Sequence, residues 1–369
     1  MPKRILIIGG YGNFGQFIAC RLARHQNIEL IIAGRREHLA ARFATSLKAT
    51  NPVHATRIDI NDGLAASLEA IRPDLVIHTS GPFQEQGYDV AEACVKAGAH
   101  YIDLSDGRAF VAGISAIDDM AKAASVSVIS GASSVPALSG AVMDAHKDSF
   151  KTLTHLDYGI TTAQATTRGL ATTAAIMGYA GKPFTRLEGG EMCKAFGWQG
   201  VHGQTFKGLG TRYLANCDIP DLSLFPTRYP TLKTQRFYAG LEIPLLHFGL
   251  WGLTWLVRMR LIKSLRPFTA TLLKMSFLFD FMGTDTSAFY MRLRGLGKDG
   301  TPREVRFDLT ARSGDGPFIP CMPAIILAER FADGNALPPG SMPCVGLITL
   351  EEYLDALNGL DIQSHTDTI

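Results

Sequence analysis

Arg4-Ile5-Leu6-Ile7-Ile8-Gly9-Gly10-Tyr11-Gly12-Asn13-Phe14-Gly15 is the stretch on which the rest of the chain depends. Arg4 to Ile8 is a short run of leucine and β-branched side chains, the mark of a strand buried on both faces. Gly10 to Gly15 then reads G-x-G-x-x-G. Gln16 to Arg24 sets Phe17, Ile18 and Leu22 among helix formers, which predicts a helix. The order strand, glycine turn, helix is what a dinucleotide needs. One glycine makes the tight turn, the next lets backbone N–H groups approach a pyrophosphate, and the third lets helix pack on strand. The backbone from Gly10 through Tyr11, Gly12, Asn13 and Phe14 to Gly15 is therefore the expected cofactor seat.

A second stretch selects among dinucleotides. Glu29 to Ala33 reads as the next strand and ends in Gly34-Arg35-Arg36, with Arg35 twenty residues after Gly15. An NAD site places an acid near here for the ribose hydroxyls, whereas an arginine holds the 2′-phosphate of NADP by a charge-assisted fork. Glu37 would restore an acid if the register slipped by two. Its neighbours His38 to Phe43 read as helical, so Glu37 is assigned to a helix's first turn, where an acid suits the dipole. Arg35 and Arg36 thus favour NADP.

The opening alternation continues with strands predicted at Val53 to Ile60, Leu75 to Thr79, His100 to Leu104 and Val126 to Ser130. Helices are predicted at Gly63 to Ile71, Tyr88 to Ala97, Arg108 to Ala124 and Ala137 to Asp148. That pitch predicts an α/β fold, an N-terminal Rossmann-type doubly wound parallel sheet over residues 1–150. Ligands lie at the carboxyl ends of such strands. This selects four loops: Gly10 to Gly15, Ser80 to Gly87, Ser105 to Gly107 and Gly131 to Pro136. The length of 369 residues leaves room for a second domain, and the net charge of +2 with no Lys/Arg block excludes an obvious nucleic-acid surface. The apolar run after Met1-Pro2-Lys3-Arg4 is too short for a signal peptide. Six scattered cysteines without C-x-x-C spacing predict no metal site and no disulfide framework, hence a cytoplasmic setting.

After residue 150 the pattern changes. Leu156 to Thr162 reads as a strand and Arg168 to Tyr179 as a small-residue helix, while Gly189 to Gly240 shows no clear helix. Two runs that alternate, one through Phe289, Met291 and Leu293 and one through Val305, Phe307 and Leu309, flank Lys298-Asp299-Gly300 and predict a β-hairpin. Residues 151–320 are read as a second, α+β domain for substrate and dimerisation. Residues 321–369 are read as C-terminal helices, Ala324 to Phe331 and Leu350 to Asn358, packing back on the first domain.

The glycine turn, Ser80-Gly81-Pro82-Phe83 with Gly87, Cys94 to Asp103, and Gly131 to Pro136 together resemble the saccharopine dehydrogenase-like family of NAD(P)-binding oxidoreductases. The resemblance covers roughly the first 140 residues. It implies an inserted α+β domain, homodimers through it, and a nicotinamide ring over the Ser80, Gly81, Pro82 and Phe83 loop. Members acting on amino-acid conjugates tend to carry Gly-x-Asp-Pro-Gly after the sixth strand, where this chain has Gly131-Ala132-Ser133-Ser134-Val135-Pro136. Ser105-Asp106-Gly107 likewise replaces a more usual Ser-Gly-Glu. Both departures argue against saccharopine itself as the substrate.

Hydride transfer needs a proton donor beside the reacting carbon. Asp103 and Asp106 end the fifth strand and suit either an acid or a partner for a substrate ammonium; Asp103 equally suits a turn cap. Ser133 and Ser134 suit a carbonyl contact or a helix cap. His100 and Tyr101 lie within a strand, so at least one belongs to the core. Arg168 is suited to a carboxylate or to the surface. No S-x-x-x-Y-x-x-x-K pair appears, which argues against a short-chain dehydrogenase. Ile243 to Phe279 holds Arg258, Arg260, Lys263, Arg266 and Lys274 with no acid. Its uncharged stretch Ile243 to Val257 is shorter than the ~20 residues that span a bilayer. It predicts a helix from about Leu245 to Leu265 and a second from about Thr269, covered by their own domain, by a second subunit or by lipid, with a dimer favoured over a membrane surface. The reading is an NADP-dependent oxidoreductase, acting in a two-domain cleft on a C=O, C=N or C–N carbon of a small molecule. The alternatives are a non-catalytic NADP-binding sensor or scaffold, or a membrane-surface reductase of a lipid-like substrate.

Overall fold

The computed structural model describes residues 2–369; Met1 lies outside the described residues. In chain order the first elements are β1 (Lys3–Ile8), α1 (Asn13–Leu22), β2 (Ile28–Gly34), α2 (Glu37–Ser46), β3 (Val53–Arg57), α3 (Leu64–Ile71), β4 (Leu75–His78), α4 (Asp89–Lys96), β5 (His100–Asp103), α5 (Arg108–Ala112), α6 (Asp118–Ala123), β6 (Ser127–Ser130) and α7 (Ser139–His146). Then follow β7 (Phe150–Thr161), α8 (Leu170–Tyr179), β8 (Pro183–Glu188), β9 (Glu191–Phe196), β10 (His202–Phe206), β11 (Gly210–Asn216), α9 (Asp221–Arg228), β12 (Thr234–Gly240), α10 (Pro244–Arg258), α11 (Thr269–Phe277), β13 (Ser287–Gly297) and β14 (Pro302–Ala311). The tail holds α12 (Met322–Ala332), β15 (Gly340–Pro343), α13 (Leu350–Ala356) and β16 (Ile362–Thr368). Two compact units result. One is the chain up to Gly140 with Phe318–Ala356, the other Ala141–Pro317 with Leu357–Ile369.

The first unit is a seven-stranded sheet in the order β15-β6-β5-β4-β1-β2-β3. Every neighbouring pair in it is parallel. Ile5 to Ile8 are buried because helices cover both faces, which is why their run has no polar alternation. The strand order reverses between β1 and β4, and the crevice at such a switch point is where this class of sheet binds ligands. The single helix expected over Arg108 to Ala124 is broken at Gly113. A side chain there would sit 2.6 Å from the Tyr88 hydroxyl, and the break lets Ile114 and Ile117 turn into the core.

The second unit is a mixed sheet, β10-β11-β12-β7-β13-β14-β16, with only β12 and β7 parallel. The β13–β14 hairpin forms as its alternation predicts. Glu242 ties loops together here: its carboxylate accepts N–H groups from Gln164 (2.7 Å) and Thr284 (2.9 Å) and pairs with Arg212 at 3.0 Å.

Three further expectations need correction. Gly189 to Gly240 does contain a helix, α9; burial of Leu222 and Phe225 sustains it although Pro226 lies inside. The helix expected over Leu245 to Leu265 ends at Arg258. Arg260 adopts a left-handed backbone (φ 61°), and Leu261 N–H to Leu256 O (2.9 Å) with Arg260 N–H to Val257 O (2.9 Å) closes a Schellman end. No glycine signals that stop. The tail, expected as helices on the first domain, divides instead: α12, β15 and α13 join the first unit, whereas β16 pairs with β14 in the second.

Candidate functional site

The glycine turn is held from below. Gly9 and Gly10 N–H groups both donate to Ala33 O, at 2.9 and 3.1 Å, and Gly12 N–H donates to Gly9 O at 2.8 Å. Gly9 has φ +82°, which favours glycine, and Gly15 packs directly against Gly10, where a side chain would lie 2.7 Å from its Cα. No side chain caps α1 and its first turn has no acid. The backbone donors of Asn13 and Phe14 are thus free of local competition, and with the helix dipole they make a seat for an anion.

Tyr11 lies across the end of β2. A side chain on Gly34 would fall 2.5 Å from its ring, and its hydroxyl accepts the Arg36 N–H at 3.0 Å. Glu37 is the first residue of α2, so the turn before it carries only Arg35 and Arg36. Both arginines are exposed, and neither forms an ion pair among the described residues. Two exposed cations at the tip of β2, with the nearest acid in sequence, Glu37, taken into the first turn of α2, suit a phosphate.

On the other side of β1, the sheet register aligns Ile8 with His78 and His78 with Asp103. Asp103 is wholly buried, and its Oδ1 accepts three donors: Ser105 N–H (2.9 Å), Ser130 Oγ–H (3.0 Å) and Gly131 N–H (2.9 Å). One carboxylate therefore ties together the loops after β5 and β6. The Tyr101 hydroxyl bonds His78 Nδ1 at 3.0 Å and faces the Asp103 carboxylate. Burial pushes the Asp103 carboxyl up to about 6, against the pull of its donors. Burial also takes His78 down to about 4, so its imidazole is neutral at physiological pH.

Asp103 is thus a positioning residue beneath the loops, since none of its surface meets solvent. Asp106 is only partly buried; it accepts a 2.9 Å bond from Gln84 and so joins the loop after β5 to the loop after β4, with burial raising its pKa. Ser133 is buried, and its carbonyl accepts the Ala137 N–H at 3.2 Å, a cap for the turn that follows. Gln86 fastens the Ser80 to Phe83 loop through the carbonyls of Ser80 (2.8 Å) and Pro82 (3.1 Å). Phe83 stands edge-on to His78, ring centroids 5.0 Å apart. His78 escaped the sequence reading; its only signal is a polar residue ending an apolar strand just before Ser80-Gly81-Pro82. Tyr101 is core, as expected of one of the two strand aromatics.

The second unit holds two further features. Arg168 pairs with Asp280 and stacks on Phe277 at 4.6 Å, so its charge is already engaged. A groove of about 520 Å3 is lined mainly by Val201, Tyr213, Phe248, Trp251 and Trp255. No group of three or more His, Cys, Asp or Glu suited to a metal occurs among the described residues.

A glycine turn at the switch point, an uncapped helix start and arginines at the tip of β2 define a nicotinamide-dinucleotide-binding domain. Residues 5–149 match the family described as the saccharopine dehydrogenase NADP binding domain. Residues 5–149 are therefore a domain of the saccharopine dehydrogenase NADP-binding type. Among solved structures, its fold is similar to apo histidine-tagged saccharopine dehydrogenase (L-Glu forming) from Saccharomyces cerevisiae. That match has a TM-score of 0.69 at 12% identity over 99% of this chain and 100% of the other. A looser match, TM-score 0.49 at 11% identity, covers 93% of this chain and 95% of the amine dehydrogenase from Mycobacterium smegmatis. Comparison with curated protein sequences gives no match.

Proposed function

We propose that the protein is an NADP-dependent oxidoreductase that moves a hydride to or from a C=O, C=N or C–N carbon of a small molecule. The observation that carries this reading is the pairing of an uncapped, acid-free α1 start with unpaired Arg35 and Arg36 at the tip of β2. NADP supplies or takes the hydride. In this reading Gly10 to Gly15 receive the pyrophosphate, Arg35 and Arg36 the 2′-phosphate, and the Ser80 to Phe83 loop borders the nicotinamide. Asp103 orders the loop tips through its three donors, while Asp106 and Ser133 are the polar side chains offered to a substrate or its proton. A cytoplasmic setting is part of this proposal, from the scattered cysteine spacing of the sequence.

NADPH is expected to raise the melting temperature more than NADH at equal concentration. A ligand at 100 times its Kd stabilises by ~2.7 kcal/mol, well within reach of a thermal scan. Arg35→Asp should shrink the difference between the two cofactors sharply. Equal stabilisation by both, unchanged in the variant, would remove the NADP assignment.

Turnover is the second test, and it separates an enzyme from a sensor that merely binds NADP. NADPH should be consumed with at least one member of a carbonyl and imine panel. Asp106→Asn and Ser133→Ala should each lower that rate while leaving the NADPH thermal shift nearly intact. Binding without any turnover across the panel would favour the sensor.

A further inference from the structure

We infer that α10, α11 and the turns that follow them form a docking surface for an anionic membrane. This inference does not depend on the oxidoreductase reading. Among the described residues, ten of the sixteen exposed large hydrophobic side chains lie within residues 245–282, about a tenth of the chain. They concentrate at two tips. Met259 and Leu261 (68% exposed) follow α10, while Leu278 (71%), Phe281 (84%) and Met282 follow α11. Exposed apolar side chains at this density along one segment mark an interaction site.

The charges around it identify the occupant. Arg258, Arg260, Lys263 and Lys274 are exposed among these side chains, and the only acid in 243–282, Asp280, is engaged by Arg168. Arg260, Lys263 and Lys274 form no ion pair among the described residues, so their charge is available to a partner. A second copy is a poor match. A two-fold contact sets a patch against itself, so a cationic patch whose one acid is already engaged would meet the same sign of charge. An anionic bilayer answers both halves of the surface. Its headgroups pair with the cations, while its acyl boundary accepts apolar side chains to a depth of ~5–10 Å. Trp251 and Trp255 suit the same boundary, since indole rings favour the headgroup level, and Arg258 stacks on Trp255 at 4.7 Å. No helix among the described residues is long and apolar enough to cross the membrane, so contact through this surface is peripheral.

Flotation of the full chain tests this with phosphatidylcholine vesicles, with and without phosphatidylserine. The protein should float with the phosphatidylserine vesicles at low salt, stay at the bottom with phosphatidylcholine alone, and lose binding at high salt. Removing one unit of charge should weaken partitioning roughly fivefold, so Arg260→Glu with Lys263→Glu should abolish flotation. Leu261→Ser with Phe281→Ser should do the same. These side chains are exposed, and an unchanged NADPH thermal shift or urea midpoint would confirm that the variants fold. Failure to float with phosphatidylserine vesicles would overturn the inference, as would flotation unaffected by both double variants. A wild-type dimer that Leu261→Ser with Phe281→Ser splits, without flotation, would reassign the surface to self-association.

Discussion

Gly15→Ala is expected to abolish the NADPH thermal shift and to lower stability by about 3 kcal/mol or more. Helix propensity alone argues the other way, since alanine within a helix is better than glycine by ~1 kcal/mol. The contact decides the outcome. A Cβ at Gly15 would lie 2.7 Å from Gly10 Cα and closer still to the Gly9 carbonyl, both of them backbone atoms that no rotamer change can move aside. The helix must therefore back away from the strand, and the donors at its start leave the place where a pyrophosphate would sit. Gly249→Ala in α10 is the control: nothing lies within 4 Å of the added atom and the backbone is helical, so stability should hold or rise. Urea midpoints and NADPH melting shifts for the two variants read this directly. A Gly15→Ala protein with native stability and an intact shift would mean that the glycine turn is not the cofactor seat.

Asp103→Ala is expected to cost about 2–5 kcal/mol, because it leaves buried Ser105 and Gly131 N–H groups and the Ser130 hydroxyl without their acceptor. Asp103→Asn keeps an oxygen toward those donors and should cost less, and its value lies in the pH dependence. The carboxyl titrates near 6 in the folded protein against 3.8 ordinarily, so the native state holds this proton more tightly than the unfolded chain. The stability this group contributes is fully present below about pH 4 and is lost as the pH rises toward 6. The size of that loss is about 3 kcal/mol. Other acids titrate in the same window, so the quantity to measure is the difference in unfolding free energy between wild type and Asp103→Asn. That difference should move in favour of the variant from pH 4 to pH 7. A flat difference would show that burial does not perturb this carboxyl.

The elements that could be read in advance are those whose signals are short-range. The β1 strand and glycine turn are legible because a tight turn and a close helix approach need glycines at set positions. The β13–β14 hairpin is legible because one face alternates against a core. The α10 stop was not, because Arg260 adopts the left-handed conformation that glycine usually supplies. β15 is Gly-Ser-Met-Pro and β16 is polar and exposed, so neither carries an apolar pattern; each exists because a neighbouring strand offers unpaired backbone groups.

The sequence by itself determined the binding order of strand, turn and helix, the pair of arginines at the tip of β2, and the loops that border the site, while the start of α2 at Glu37 was decided by the structure. Tertiary structure alone decided what the side chains in those loops do. Asp103, placed at a strand end by its sequence position, is drawn under the loops by three donors brought from β5 and β6. His78 meets Tyr101 only because β4 and β5 are neighbours in register. The apolar side chains of residues 245–282 could have been covered by their own unit; which of them remain in solvent is set by packing between residues distant in the chain, and no local pattern encodes it.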